Sequence, residues 1–330
     1  MLTLPADSAD RARPHRVRDD RPAYRPFRAT VRSVARLSPS FLRVTFTGDE
    51  LAGFGTAGLD QRIKLVLPLE GDGAPSGYDH LGICAPDAIA NGSWYELWRA
   101  APAELRNPFR TYTVRSVRPQ ERELDVDFAV HGDGGPASRW VRSARAGDEI
   151  VIVGPDDASK GWRSGLDWHP GSRDELLLAG DETAVPAVCS ILESLTPGVR
   201  ATAFLEIPES ADALDVALAC SDHTVTWLPR HDGPRGERLA AAVREWALAR
   251  RHLLTPAAQP QASVLDESDV EAGLVWDAPD ARDETGFYAW IAGETQCVVS
   301  LRRFLVKELG VDRSRVAFMG YWRQGRAELS

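Results

Sequence analysis

Several short segments carry residue types that suit phosphate and ring chemistry. The first is Arg110-Thr111-Tyr112-Thr113, at the start of a predicted strand. Because side chains alternate along a strand, Arg110 and Tyr112 are expected on one face and Thr113 on the other. An arginine fork binds phosphate, a tyrosine packs on a planar ring, and a threonine bonds a ring edge. Taken alone, the segment fits an ordinary solvated strand equally well.

The second segment, 130–144, runs from a predicted strand through glycines into a short helix that begins near Pro136. The free N–H groups and positive dipole end of such a helix form an anion site, and Gly134 and Gly135 let backbone approach a pyrophosphate. The alternative is a helix that is capped by its own Ser138.

Two further segments lie at predicted strand ends. Gly180-Asp181-Glu182-Thr183 follows the first strand of an α/β region, where open α/β sheets bind ligands, and Pro186 suits the first turn of the next helix. An acidic helix cap is the alternative. Gly320-Tyr321-Trp322-Arg323 follows the last strand, where rings and a cation suit a cofactor or substrate; a packed chain end is the alternative.

One motif matches a dinucleotide-binding pattern but is expected to be a loop. Residues 53–58, GFGTAG, fit the G-x-G-x-x-G pattern of dinucleotide-binding turns. That function requires a strand before the glycines and a helix after them, so that pyrophosphate meets a helix N-terminus. The next segment, RIKLVLPL, predicts a strand, so a glycine-rich loop is favoured.

The elements that position these segments divide the chain in two. The first part predicts a six-stranded antiparallel barrel from short strands rich in Val, Thr and Phe. One excursion, 70–109, contains a predicted short helix within 94–105. The predicted strands are 27–37, 41–47, 62–69, 110–117, 123–131 and 148–155.

The second part predicts a doubly wound α/β domain, because strands alternate with helical patterns that include 185–195 and 211–218. We divide the chain into a disordered N-terminal tail at 1–24, a barrel domain at 25–157 and an α/β domain at 158–330. Segment 254–285 is expected to be a surface connection. The predicted strands are 175–180, 201–207, 223–229, 287–293 and 315–322.

Composition excludes several classes of function. The 330 residues carry a formal net charge of −9, which disfavours nucleic-acid binding. No signal-peptide core or membrane-length apolar run is found. The four cysteines are far apart without metal-ligand spacing. We therefore expect a cytoplasmic protein without a structural metal or membrane insertion, and a monomer by default.

Taken together, the segments resemble the siderophore-interacting protein family of ferric-siderophore reductases. RTYTVR, HGDGGPASRW, GDETAVPA, FYAWIAGE and GYWR occur in the family's order, as does D-Q-x-x-K-L at 60–65, and the resemblance covers about 25–325. It implies an FAD-binding barrel joined to an NAD(P)H-binding α/β domain, akin to ferredoxin reductases. Such proteins reduce the Fe(III) of a ferric siderophore to Fe(II).

The resemblance also implies site residues. The expected flavin-ring and phosphate residues are Arg110, Tyr112 and Thr113. The ribityl, pyrophosphate and adenine side is expected at His131, Gly132, Gly135, Pro136, Ala137, Ser138 and Trp140. The nicotinamide end is expected near Asp181, Glu182 and Thr183, with Tyr321 and Trp322 as a terminal aromatic pair near the flavin. Lys64 and, more loosely, Arg323 are the candidate substrate cations.

Cofactor chemistry then predicts the mechanism: hydride passes from NADPH or NADH to FAD, and electrons pass to Fe(III). No protein acid or nucleophile is needed, so we assign no catalytic side chain. Arg230 is the candidate for a 2′-phosphate, whereas Glu206, Glu209 and Asp212 are expected to repel one. The alternatives are a flavin or ferredoxin-type reductase with another acceptor and a non-catalytic siderophore-binding module.

Overall fold

The computed structural model describes residues 17–55, 57–70, 77–130, 135–254, 275–280 and 286–325. These residues form two compact units. The barrel unit comprises 17–37 and 41–166, and the α/β unit comprises 38–40 and 167–325. The sequence prediction places the division slightly earlier, between 157 and 158. Most of the predicted N-terminal tail, 1–16, lies outside the described residues.

The barrel unit is a curled antiparallel sheet of seven strands in the order β4-β3-β7-β1-β2-β6-β5. The strands are β1 (Tyr24–Arg36), β2 (Phe41–Thr47), β3 (Arg62–Val66), β4 (Phe109–Thr113), β5 (Ser116–Arg118), β6 (Glu123–Ala129) and β7 (Glu149–Pro155). The predicted antiparallel architecture is confirmed.

The predicted strand 110–117 is two strands, so the prediction of six strands was wrong by one. The chain changes its partner at the break between them: the Val114 N–H donates to the Gln61 carbonyl, and the Arg115 N–H donates to the Asp125 carbonyl. One continuous segment thus joins the β3 end of the sheet to the β6 end. Period-two patterning does not reveal such a change, because both halves keep the alternation.

The barrel core follows from alternation along the strands. Phe27, Val44, Phe46 and Phe128 are fully buried within it. Helix α3 (Pro136–Ser143) covers this core with its apolar face. The excursion folds into α1 (Pro86–Asn91) and α2 (Trp94–Ala100), and α2 confirms the helix predicted within 94–105.

The α/β unit is a sheet of six strands in the order β10-β9-β8-β12-β13-β11. All are parallel except β11, a two-residue antiparallel edge strand. The five predicted strands are confirmed, whereas β11 lies in the predicted surface connection. The strands are β8 (Glu175–Gly180), β9 (Arg200–Ile207), β10 (His223–Pro229), β11 (Trp276–Asp277), β12 (Phe287–Glu294) and β13 (Val316–Trp322).

The α-helices described in this unit are α4 (Val185–Ser194), α5 (Glu237–Ala249), α6 (Arg251–Leu254) and α7 (Thr295–Arg302), and a π-helical stretch, Arg303–Glu308, continues α7. The predicted helix 211–218 does not form; only a 3₁₀ turn, Ser210–Asp212, is present. That turn is closed by reciprocal bonds between Glu209 and Asp212, a local alternative to a longer helix. Among the described residues, no helix is long and apolar enough to cross a bilayer.

The interpretation of the glycine motif 53–58 as a loop is confirmed for its described residues. Gly53 ends a 3₁₀ turn, Asp49–Gly53, and the next regular element is β3, not a helix. The helix N-terminus that a dinucleotide-binding turn requires is therefore missing from this part of the described chain.

Candidate functional site

Strand β4 presents the first predicted segment as expected. Arg110 pairs in register with Leu65, and Tyr112 pairs with Ile63, so both point to the buried face of the sheet. Both side chains are half-buried, and Arg110 Nη1 donates to the Phe109 carbonyl over 2.7 Å. An arginine and a tyrosine thus share one partly desolvated face, as phosphate and ring binding require.

Phe128 brings the first two predicted segments together. Its ring lies 4.4 Å from that of Tyr112 and 5.9 Å from that of Trp140 on α3, measured between ring centroids. Strand β4 and the α3 region therefore rest on the same core. Sequence reasoning did not assign Phe128 a role; its signal was the inward alternation Leu124, Val126, Phe128 on β6.

The N-terminus of α3 fits a pyrophosphate. Gly135 is its N-cap, and no side chain of a described residue, that of Ser138 included, caps the free N–H groups. A Cβ built on Gly135 would meet no atom of a described residue within 4 Å, so among these residues space is open beside the donors. Uncapped donors at the positive end of a helix suit a dianionic group. His131 and Gly132 lie outside the described residues.

Lys64 lies on the opposite face of the β3–β4 pair from Arg110 and Tyr112. It is exposed on β3 and pairs in register with Thr111, and its Nζ donates to Thr111 Oγ1 over 3.0 Å. The neighbouring Gln61 is fully buried, and its Nε2 donates to Tyr24 Oη and to the Ser164 carbonyl, both over 2.8 Å. Within the D-Q-x-x-K-L motif at 60–65, Gln61 therefore holds the start of β3 in place, and Lys64 points to solvent.

In the α/β unit, Asp181 is buried and its carboxylate is fully engaged. Its Oδ1 accepts from the N–H and hydroxyl of Thr183 over 2.9 and 2.5 Å. Its Oδ2 accepts from the Glu294 N–H over 2.7 Å and from the Trp322 indole N–H over 2.8 Å. Asp181 thus joins the carboxyl ends of β8, β12 and β13. A nicotinamide contact of this side chain stays a prediction.

This burial makes the stability of the α/β unit pH-dependent. Burial and the adjacent Glu182 carboxylate raise the pKa of Asp181 from 3.8 to about 6. The folded state therefore binds this proton more tightly than the unfolded chain, so ionisation destabilises the fold. The penalty is absent below pH 3.8, grows as the pH rises to about 6, and is constant above that.

We expect the free energy of unfolding of the wild type, minus that of Asp181→Asn, to fall by an amount on the order of 3 kcal/mol across this window. Urea unfolding at a series of pH values measures this difference. The subtraction removes the titration of the other carboxylates. A difference that is flat or rises with pH would contradict the assignment.

Glu182 is fully buried and holds two arginines. Arg230, itself only 6% exposed, makes a two-pronged ion pair with it over 2.6 and 2.8 Å. Arg235 pairs with Glu182 Oε1 as well and lies over the Trp322 ring, 5.3 Å from its centroid. Arg230, the predicted 2′-phosphate residue, is thus engaged in this cluster, and its phosphate role stays a prediction.

The acids expected to repel a 2′-phosphate have other partners. Glu206 is fully buried and accepts from the Gly236 and Leu239 N–H groups at the start of α5. Asp212 is also fully buried, and Glu209 pairs with His231. The sequence pattern placed these carboxylates near a ligand, but all three accept from backbone N–H groups of the unit.

The terminal segment is held by the start of α7. Tyr321 stacks on Trp276 with ring centroids 5.8 Å apart, and the Trp322 carbonyl accepts from Thr295 Oγ1 over 2.8 Å. Arg323 borders a cavity of about 480 Å³ in this unit, together with Arg235. Arg235 and Thr295 were not identified as site residues from the sequence. For Thr295, the available signal was that the strand ends at Glu294 and a helix begins at the next residue.

Cys297 also borders this cavity. Burial and, to a lesser degree, Asp181 raise the pKa of its thiol to about 12. The side chain is therefore a neutral thiol near pH 7 and a poor nucleophile.

Comparisons with known proteins cover both units. The family model for the siderophore-interacting FAD-binding domain matches residues 30–159, and that for siderophore-interacting protein matches 173–325. The chain is 28% identical to ferric vibriobactin reductase ViuB of Vibrio cholerae, over 88% of this chain and 87% of the relative. It is 30% identical to an NADPH-dependent ferric-chelate reductase of Escherichia coli, over 94% and 96%. The crystal structure of SipS from Aeromonas hydrophila is similar with a TM-score of 0.61 and 28% identity, covering 93% of this chain and 94% of SipS.

Proposed function

The chain belongs to the siderophore-interacting protein family, and from this premise we propose that it is an FAD-dependent reductase of ferric siderophores. It takes electrons from NAD(P)H and converts siderophore-bound Fe(III) to Fe(II), which siderophores hold far less tightly. The observation that carries the proposal is the series of rings from Tyr112 through Phe128 to Trp140, which sets two predicted cofactor segments on one core.

The residues of the barrel unit fit FAD. Arg110 supplies a guanidinium fork for phosphate, Tyr112 a ring face, and the uncapped start of α3 at Gly135 supplies N–H donors and space. Bound FAD supplies the chemistry that accepts a hydride and releases single electrons. One hydride carries two electrons, so one NAD(P)H serves two ferric ions.

The protein needs no acid, base or nucleophile for this reaction. Its residues bind and orient the cofactors and the ferric complex. In the α/β unit, Asp181 and Glu182 fix the carboxyl ends of the strands and the loop that carries Arg230 and Arg235. We assign the nicotinamide end of NAD(P)H to Asp181, Glu182 and Thr183, because open α/β sheets bind nucleotides at this edge. These three residues do not line the cavity that Arg323 borders.

The substrate is met by local cations. The chain carries a net charge of −9, so an anionic ferric siderophore is repelled by the molecule as a whole. Lys64 is exposed in the barrel unit, and Arg323 borders a cavity of the α/β unit. We infer that these two side chains attract it. A cytoplasmic monomer that acts on imported ferric siderophore is the setting we propose.

Anaerobic mixing tests this function. The purified yellow protein is reduced with NADPH or NADH and then receives a ferric siderophore and the Fe(II) trap ferrozine. Flavin bleaching, followed by reoxidation and the Fe(II)–ferrozine colour, is expected. Bleaching without Fe(II) would indicate a reductase with another acceptor. A protein that binds ferric siderophore but takes up no FAD would be a binding module.

Replacing Lys64 with glutamine is expected to raise KM for an anionic ferric catecholate by about 3- to 10-fold and to leave KM for NAD(P)H unchanged. The reason is that Lys64 attracts substrate without contacting the nucleotide. Steady-state kinetics at low and high salt measure the effect, which salt should weaken. Lys160→Gln, an exposed lysine of the same unit paired with Asp20, is the control. Equal effects of the two variants would refute the role of Lys64.

A further inference from the structure

Arg323 lies between two anchored residues. On one side, the Trp322 carbonyl accepts from Thr295 Oγ1 over 2.8 Å, and the Trp322 indole N–H donates to Asp181. On the other side, the Gln324 N–H donates to Glu294 Oε1 over 3.2 Å. Glu294 and Thr295 are consecutive, at the junction of β12 and α7. One short stretch of chain therefore fixes the backbone on both sides of Arg323.

The side chain of Arg323 borders the cavity of about 480 Å³ in the α/β unit. Its guanidinium makes no ion pair or hydrogen bond with the described residues. Arg235 borders the same cavity, and the Glu294 carboxylate, also at its wall, is already engaged by backbone N–H groups. The Glu237 carboxylate borders the cavity as well, and Arg235 is paired with Glu182. Arg323 is thus the guanidinium at this wall that has no carboxylate partner among the described residues, and it suits an anionic group of a ligand. Its volume is in the range of small-molecule sites.

We propose that Glu294, together with Thr295, is a positioning residue that presents Arg323 to an anionic ferric siderophore at this cavity. This inference rests on the proposed function, because Arg323 is one of the two cations that we propose to attract the substrate. Glu294 and Thr295 act on the ligand through the backbone of residues 322–324.

A glutamate is required because three N–H groups point at its two oxygens. Glu294 Oε2 accepts from the N–H groups of Gln296 and Cys297 over 2.6 and 3.2 Å, which caps α7, and Oε1 accepts from Gln324. A glutamine has one oxygen. If that oxygen keeps the cap, its NH₂ group faces the Gln324 N–H, a donor against a donor. Glu294→Gln therefore spares the helix cap and releases Gln324.

The first test needs no turnover. Hydrogen exchange of the full-length FAD-loaded protein is expected to show faster exchange at the Gln324 amide in Glu294→Gln, by about 10-fold. The control is Asp312→Asn, another acidic cap, whose carboxylate accepts from the Ser314 N–H over 2.8 Å just before the start of β13, at the opposite end of the strand from Gln324. Unchanged exchange at Gln324 in Glu294→Gln would overturn the positioning role.

The second test measures binding with redox-inert gallium(III) complexes. Removal of the Glu294 charge from the cavity wall by itself favours an anion, so a weaker affinity reports the displacement of Arg323. Glu294→Gln is expected to weaken binding of the anionic gallium(III) tris-catecholate by about 5- to 20-fold, with a smaller loss for Thr295→Val and little change for a neutral gallium(III) tris-hydroxamate. The same loss for both complexes would indicate a general structural defect and overturn the inference. Calorimetric titration measures all three proteins.

A double-mutant cycle separates a positioning role from a structural one. If Glu294 acts through Arg323, Glu294→Gln adds little in a protein that already carries Arg323→Ala. Full additivity would overturn the inference. Failure of the proposed function is distinguishable from this: a wild type that binds the gallium complex with these dependences but releases no Fe(II) refutes the reductase and leaves the positioning role in place.

Discussion

Replacing Arg110 with alanine is expected to weaken FAD binding by about 10- to 100-fold, so that the variant purifies largely without flavin. Arg110 is half-buried on the inward face of β4, opposite Leu65. Charge-assisted bonds to a phosphate are stronger in such a partly desolvated place than at an exposed surface. The ratio of flavin to protein absorbance gives the occupancy, and titration of the apo variant with FAD gives the affinity.

Two companion variants make this result specific. Arg110→Lys keeps the charge but loses the guanidinium fork, so an intermediate affinity is expected. Arg36→Ala removes an exposed arginine at the end of β1 and should retain full flavin. Thermal unfolding of the apo proteins shows whether a loss of flavin reflects weaker binding or a loss of folded protein, and similar midpoints are expected for all three. Full flavin occupancy in Arg110→Ala would refute the phosphate assignment.

The barrel was predictable because its strands obey a local rule. Alternating residues such as Leu124, Val126 and Phe128 point inward. This pattern can be recognised from a short stretch of sequence. What local patterning could not show is the change of partner at Val114 and Arg115, which depends on strands far away in sequence. The count of strands was wrong for this reason, while the architecture was confirmed.

The α/β unit shows the same division between local and distant information. The five parallel strands and the turn at Gly180 follow from apolar runs and helix-start residues. A Cβ on Gly180 would lie 2.4 Å from that of Ala184, which explains the glycine. The partners of Asp181 and Glu182 are 141 and 48 residues away, at Trp322 and Arg230. No spacing rule links such residues, so their burial was not predictable.

The structure gives the adjacent acids Asp181 and Glu182 a different role from the one that the sequence suggests. From sequence, adjacent carboxylates at a strand end suggest ligand contact. In the structure, Asp181 and Glu182 are both buried, and each clamps a different loop: Asp181 the ends of β12 and β13, and Glu182 the loop after β10. The ligand-facing groups are then the residues that these acids hold, such as Arg235.

Glu182→Gln is expected to lower the free energy of unfolding of the α/β unit by about 3–5 kcal/mol, because it leaves Arg230 charged, buried and without its counter-ion. Glu182 is fully buried and Arg230 is 6% exposed, so water cannot take over the lost bonds without local opening. Urea unfolding of the full-length protein measures the change. Glu193→Gln, an exposed acid on α4, should change it by less than about 0.5 kcal/mol.

A second variant distinguishes the loss of a counter-ion from a general packing defect. Replacing both partners, Glu182→Met with Arg230→Met, removes the charges and their desolvation cost together, so most of the stability should return. Arg235 then loses its partner, but its side chain is 31% exposed and water can solvate it. If the double variant is less stable than Glu182→Gln, packing and not charge dominates at this site. If Glu182→Gln is as stable as the wild type, the ion pair is not what holds the loop after β10.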